Sequence, residues 1–197
     1  MNLAIQVNKV KIGVLLAYIS SKITNVNLQK LIKLVFLVDE LYVKENGYPM
    51  TWLDYYVWEK GPVAPEIYDL KNNGGIFSDY VKSRKDNKDG KYYIYPVSSF
   101  YLEGGLLEFG DYHLEIIDTV IKKYGHLNAE KLSDLTHEEN SIWSSAVKKN
   151  NINFNENSKT DIKLDFTSLI DDKESEKYYA YLEAFENIQF SAALNSK

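Results

Sequence analysis

Cysteine is absent from this 197-residue chain, which excludes a disulfide framework and any zinc site built on thiolates. That absence fits a reducing compartment. Long hydrophobic runs are also missing. No stretch reaches the roughly 18 apolar residues that a bilayer span needs. Positive charge is outnumbered, with 23 Lys and Arg against 28 Asp and Glu, and the formal net charge is −5. Residues 150–197 carry nine acidic and five basic residues, while the first 149 are close to neutral. Neither part offers the basic field that nucleic-acid backbones demand, so nucleic acid is not an expected partner. The motifs of common enzymes are absent as well: there is no HExxH, P-loop, GxGxxG or GxSxG.

What is present suits a packed domain. The hydrophobic share is 45%, which argues against global disorder, and the length fits one domain of roughly 100–200 residues. Sixteen tyrosines stand out. Tyrosine gives large contact area at low entropic cost and is enriched at protein interfaces. AT-rich coding, which favours Tyr, Asn, Lys and Ile, explains the same count. Near the N-terminus, Ile12–Ile19 follows Lys9 and Lys11 and superficially resembles a signal peptide. The run is short and no small-x-small cleavage site follows. The expected reading is a buried first helix with Val10, Leu15, Ile19 and Ile23 on one face.

The pattern predicts a first helix over Lys9–Lys22 and a second over Leu28–Asn46, capped by Asn27 or Asn25 and stopped by Gly47 and Pro49. In the second helix Gln29, Lys30, Lys33, Glu40 and Lys44 cluster in one narrow sector, and apolar residues fill nearly everything else. Such a helix belongs at the centre of a core. Asp39 breaks the pattern by falling on the apolar arc. A buried carboxylate is costly unless paired or hydrogen-bonded, so Asp39 either braces the scaffold, through backbone amides or a nearby lysine, or belongs to a site.

Trp52–Trp58 is aromatic and β-branched enough for a strand, Lys60-Gly61-Pro62 turns the chain, and Val63–Asn72 reads as a short helix. Ile76–Val81 and Lys91–Val97 are expected strands joined by a polar loop over Lys82–Gly90. Gly104-Gly105 separates this part from a helical half. There, helices are expected around Leu114–Tyr124, over Ala129–Leu135 after Asn128, and after Ser141 with Trp143, Ala146 and Val147 inward. A last helix near Glu174–Leu194 places Tyr178, Leu182, Phe185 and Ile188 on one face. The predicted class is α+β, predominantly α-helical, with a small antiparallel sheet or hairpin.

Candidates for chemistry are few. His137-Glu138-Glu139 invites a metal reading but lacks the second histidine one turn away. His113 and His126 are remote and have no ligand-like spacing to it. A helix-end histidine beside a solvated acidic pair is the bland alternative. Gly74-Gly75 and Gly104-Gly105 read as linkers, since no P-loop lysine-serine follows either. No metal and no cofactor is expected.

Several segments, in order, resemble one family. Leu28-Gln29-Lys30-Leu31 opens the second helix, and Phe36-Leu37-Val38-Asp39 lies where the family carries an aromatic-Leu-Ala-Asp pattern. Gly47-Tyr48-Pro49 is similar to its Gly-x-Pro, and Trp58-Glu59-Lys60-Gly61-Pro62-Val63 with Ile67-Tyr68 to its Gly-Pro-Val turn and following helix. Tyr124-Gly125, Leu132-Ser133, Leu135-Thr136-His137-Glu138 and Ser141-Ile142-Trp143 look like its second signature, with Ile142 where proline is usual. The family is the SocA-like antitoxin, or Panacea, domain, also known as phage-associated or genetic-element-associated protein. The resemblance covers roughly residues 10–147.

That resemblance implies an antitoxin of a bacterial or prophage toxin–antitoxin pair, cytoplasmic and without enzymatic activity, that binds and neutralises a cognate protein toxin. Delivery of a toxin to a cellular protease is the alternative mode, and an uncharacterised hydrolase joining Asp39 and His137 is a third. The implied domain spans 1–149, with 150–197 as a variable acidic extension ending in a helix. Asp39, Trp58, Lys60, Gly61, Pro62, His137, Glu138 and Trp143 are the expected structural or site residues. Tyr178, Tyr179, Tyr181 and Phe185 are the candidate partner contacts, and the acidic bias would steer a basic toxin toward them. The ordinary alternative for that bias is a solvated face.

Overall fold

Asparagine side chains open three of the helices. In this computed structural model, which describes residues 8–97, 106–155 and 157–194, α1 (Lys9–Lys22) starts at Asn8 and α2 (Leu28–Asn46) at Asn27. Each side chain accepts a hydrogen bond from the amide three residues on, at 3.0 and 2.9 Å, which satisfies a donor the helix cannot. Gly47 ends α2 in the left-handed region, at φ 89°. α1 is buried from Ile12 to Ser20. Val10, expected on its inner face, is exposed instead, because the first turn precedes the part of the helix that the core covers.

α2 is the central element. Every residue from Leu31 to Asp39 is buried, including Lys33, which belongs to the narrow polar sector of the helix. The cause is tertiary: α2 is enclosed on that side by a hairpin and a later helix.

The first hairpin pairs β1 (Tyr56–Trp58) with β2 (Gly61–Val63), Trp58 opposite Gly61. The turn is therefore Glu59-Lys60, and Gly61-Pro62 lies in the strand. The expected Trp52–Trp58 strand contracts to its last three residues because Trp52 sits at φ 55°, which bends the chain there. The other edge of β1 is covered by the C-terminal segment: Val57 N–H donates to Ile162 O at 2.9 Å and Leu164 N–H to Tyr55 O at 2.7 Å. α3 (Pro65–Tyr68) carries proline in its first turn and passes into a 3-10 turn over Asp69–Lys71. The expected helix is thus shorter than Val63–Asn72.

The second hairpin joins β3 (Val81–Lys85) and β4 (Tyr92–Pro96) in antiparallel register. Ile76–Val81 is not the strand; Gly75–Phe77 is a 3-10 turn. The strand occupies the polar residues beyond it. Val81 and Ile94 anchor the ribbon in the core, and its outer side chains face water, where no apolar period is required. Ile94 N–H also donates to Val26 O at 2.9 Å, tying β4 to the α1–α2 link.

α4 (Asp111–Tyr124), α5 (Ala129–Thr136) and α6 (Ile142–Lys149) follow, the last two capped by Asn128 and Ser141. α4 and α5 pack on α2. Leu164, Phe166 and Ile170 are buried, and the Phe166 ring lies 5.9 Å from that of Phe36 and 5.7 Å from that of Tyr55. Residues beyond 150 therefore complete the same core. α7 (Glu176–Leu194) ends the described chain. The fold is α+β and mostly helical, with two small two-stranded antiparallel sheets among the described residues. Gly104-Gly105 lies outside the described residues. Among those described, no helix is long and apolar enough to cross a membrane.

Candidate functional site

The β1–β2 hairpin is held by side chains that bond its backbone. Lys33 Nζ donates to Pro62 O at 2.8 Å from α2, Ser133 Oγ to Lys60 O at 2.7 Å from α5, and Trp143 Nε1 to Trp58 O at 3.0 Å from α6. Gly61 has φ 99°. A Cβ there would stand 2.7 Å from Lys33 Nζ, 2.7 Å from Thr136 Oγ1 and 3.2 Å from His137 Nε2. Glycine is required twice over, by the backbone and by the crowd of polar atoms against it.

His137 stacks on Trp143, ring centroids 3.9 Å apart, and its Nε2 is buried without a hydrogen-bond partner. Burial, and after it the Lys33 charge, lowers the His137 pKa. Burial lowers Lys33 further, to about 7. Two basic groups facing one turn are thereby biased toward their neutral forms. Beside them an open cleft of about 610 Å³ is lined by Lys33, Trp58, Lys60, Tyr68, His137 and Lys159, among others. Lys159 lies over both rings, 4.4 Å from the centroid of Trp58 and 5.1 Å from that of Tyr68. Glu138, next to His137 in sequence, lines a different hollow of about 340 Å³ with Glu40, Lys44 and Glu139.

Asp39 stands apart from that turn. It is fully buried. Its carboxylate accepts from Thr51 N–H at 2.8 Å, Thr51 Oγ1 at 2.5 Å and Tyr55 OH at 2.8 Å. Burial pushes its pKa up to about 6, against the hydrogen bonds that pull it down. The donors come from the bent segment after Gly47, so Asp39 pins the loop between α2 and β1. A lysine, the other partner expected from sequence, makes none of these bonds. Among the described residues no group of three or more His, Asp or Glu side chains could hold a metal.

One comparison decides the family. The family model described as "Antitoxin SocA-like, Panacea domain" matches residues 31–144, more than half of the chain. The chain belongs to the SocA-like antitoxin family. No curated protein and no solved structure matches it.

The Panacea match encloses Asp39, Trp58, Lys60, Gly61, Pro62, His137, Glu138 and Trp143. All but Asp39 and Glu138 meet at the hairpin dock or its cleft. It leaves out α7, where the candidate partner contacts divide. Tyr178 and Tyr181 pack against the core. Tyr181 and Phe185 lie 5.3 and 5.9 Å from the Trp52 ring. Only Tyr179 points outward, 58% exposed. Leu182, expected to share the inner face, is exposed too. The bonding roles of Lys33, Thr51 and Tyr55 carry no local signal in the sequence. Thr51 and Tyr55 lie 12 and 16 residues after Asp39, so helical spacing could not connect them to it.

Proposed function

We propose that this protein is the antitoxin of a toxin–antitoxin pair, acting in the cytoplasm by direct binding to a cognate protein toxin and without catalysis of its own. The observation that carries the reading is the SocA-like antitoxin match over residues 31–144. The hairpin dock is consistent with it, since Lys33, Ser133 and Trp143 spend their polar atoms on backbone carbonyls. Asp39 likewise spends its oxygens on Thr51 and Tyr55. These groups build a scaffold that presents surfaces.

The test is co-expression in bacteria with the adjacent open reading frame. That frame alone should stop growth, and this protein supplied with it should restore growth. A neighbour that is harmless alone, or that remains toxic in the presence of this protein, contradicts the proposal.

A further inference from the structure

α7 is apolar on two opposite faces, and the domain uses only one. At about 100° per residue, Tyr178, Tyr181, Phe185, Ile188 and Ala192 share a face, and these side chains are buried or half-buried. On the far side, Tyr179, Leu182, Phe190 and Leu194 fall within a sector of about 120°. They are 58, 39, 67 and 58% exposed. A helix lying on its own domain needs one apolar stripe; here two further apolar pairs, Tyr179 with Leu182 and Phe190 with Leu194, face water on the other side, which marks an interaction surface.

The charges on that outer face are of one sign. Glu176, Glu183 and Glu186 share the sector with the four apolar side chains and are exposed. The one basic residue of α7, Lys177, is turned away, its ammonium bonded to the Lys44 carbonyl at the end of α2. A second copy of this chain makes a poor occupant, since a twofold contact would set carboxylates against carboxylates. A partner offering apolar side chains interspersed with lysine or arginine satisfies both features.

We infer that the outer face of α7 is the docking surface for the partner, and that it takes an amphipathic segment whose apolar side chains are interspersed with basic ones. This rests on the antitoxin reading and deepens it: the scaffold would be the shared Panacea domain, and the contact would lie beyond the matched residues 31–144.

The test uses the full chain, in wild-type form and as two double variants, Leu182→Ser with Phe190→Ser and Glu183→Lys with Glu186→Lys. Leu107→Ser, at a side chain 90% exposed elsewhere on the molecule, is the control. All four side chains of the double variants are exposed, so thermal melts should match the wild type. Binding is measured to the purified product of the adjacent reading frame and, separately, to a synthetic amphipathic helix of leucine and lysine. Both double variants should bind each probe about tenfold or more weakly, with Leu107→Ser unchanged. Equal binding of the neighbour's product by wild type and variants overturns the surface while leaving the antitoxin reading intact. No binding of that product by wild type, with α7-dependent binding of the leucine–lysine helix, removes the antitoxin reading and keeps the surface. Loss of self-association in the variants makes the occupant a second copy and overturns the inference.

Discussion

Lys33 sits where α2, the β1–β2 hairpin and α5 meet, and burial holds its pKa near 7 against an ordinary 10.5. A lowered base binds its proton less well folded than unfolded. Its contribution to stability is therefore full above about pH 10.5 and falls as pH drops toward 7, by at most about 1.4 kcal/mol per pH unit. Lys33→Met should flatten the stability–pH curve between those limits, read by urea unfolding at several pH values. An unchanged slope would mean that the ammonium is solvated. Asp39 has the opposite sign. Its pKa is raised from 3.8 to about 6, so its contribution is full below pH 3.8 and is lost as pH rises through 6. Asp39→Asn should remove that slope while keeping one acceptor. Asp39→Ala should cost more, about 3 kcal/mol or above, because it strands the Thr51 and Tyr55 donors. The burial of Asp39 was legible, since its helical angle falls among leucines and isoleucines. That of Lys33 was not. By angle it belongs with Gln29, Lys30, Glu40 and Lys44, and the elements that cover it arrive from residues 58–63 and 129–137, a long-range fact with no local pattern.

Caps and turns carry the elements. Asn8, Asn27, Asn128 and Ser141 accept the orphan amides that begin four helices, and this chemistry is local enough to read from sequence. The strands were harder. β3 lies in Val81–Lys85 because Tyr92–Pro96 sets its register, whereas the more apolar Ile76–Val81 attracts a local reading. Gly47 shows how one position serves two elements. It stops α2 at φ 89°, and a Cβ there would fall 2.1 Å from the carbonyl oxygen of Lys177 in α7. Gly47→Ala should therefore cost about 2–3 kcal/mol and shift α7, with faster tryptic cleavage after Lys173 as the readout. Gly90→Ala is the comparison. Its φ is 71° but nothing lies within 4 Å of the added Cβ, so only the backbone strain of about 1 kcal/mol should appear. Equal losses at the two sites would show that α7 does not lean on Gly47.

At the scale of the molecule, the family match ends at residue 144, but the core does not. Leu164, Phe166 and Ile170 are buried, and the segment around them pairs with β1. A chain ending at Lys149 should lose cooperative thermal unfolding, seen by calorimetry as a broad or missing transition; a sharp transition like that of the full chain would contradict this packing. The acidic end of the chain was legible as charge, and the helix in it as a pattern. Which face of that helix meets water was not, because both faces are apolar and only Trp52 and its neighbours decide between them. As proposed above, the Panacea scaffold would neutralise a toxin by holding it. The most direct measurement is the mass, by light scattering after gel filtration, of this protein mixed with the product of the adjacent reading frame. A stable complex with the summed mass of both chains is expected. Two separate species, each at its own mass, would contradict it.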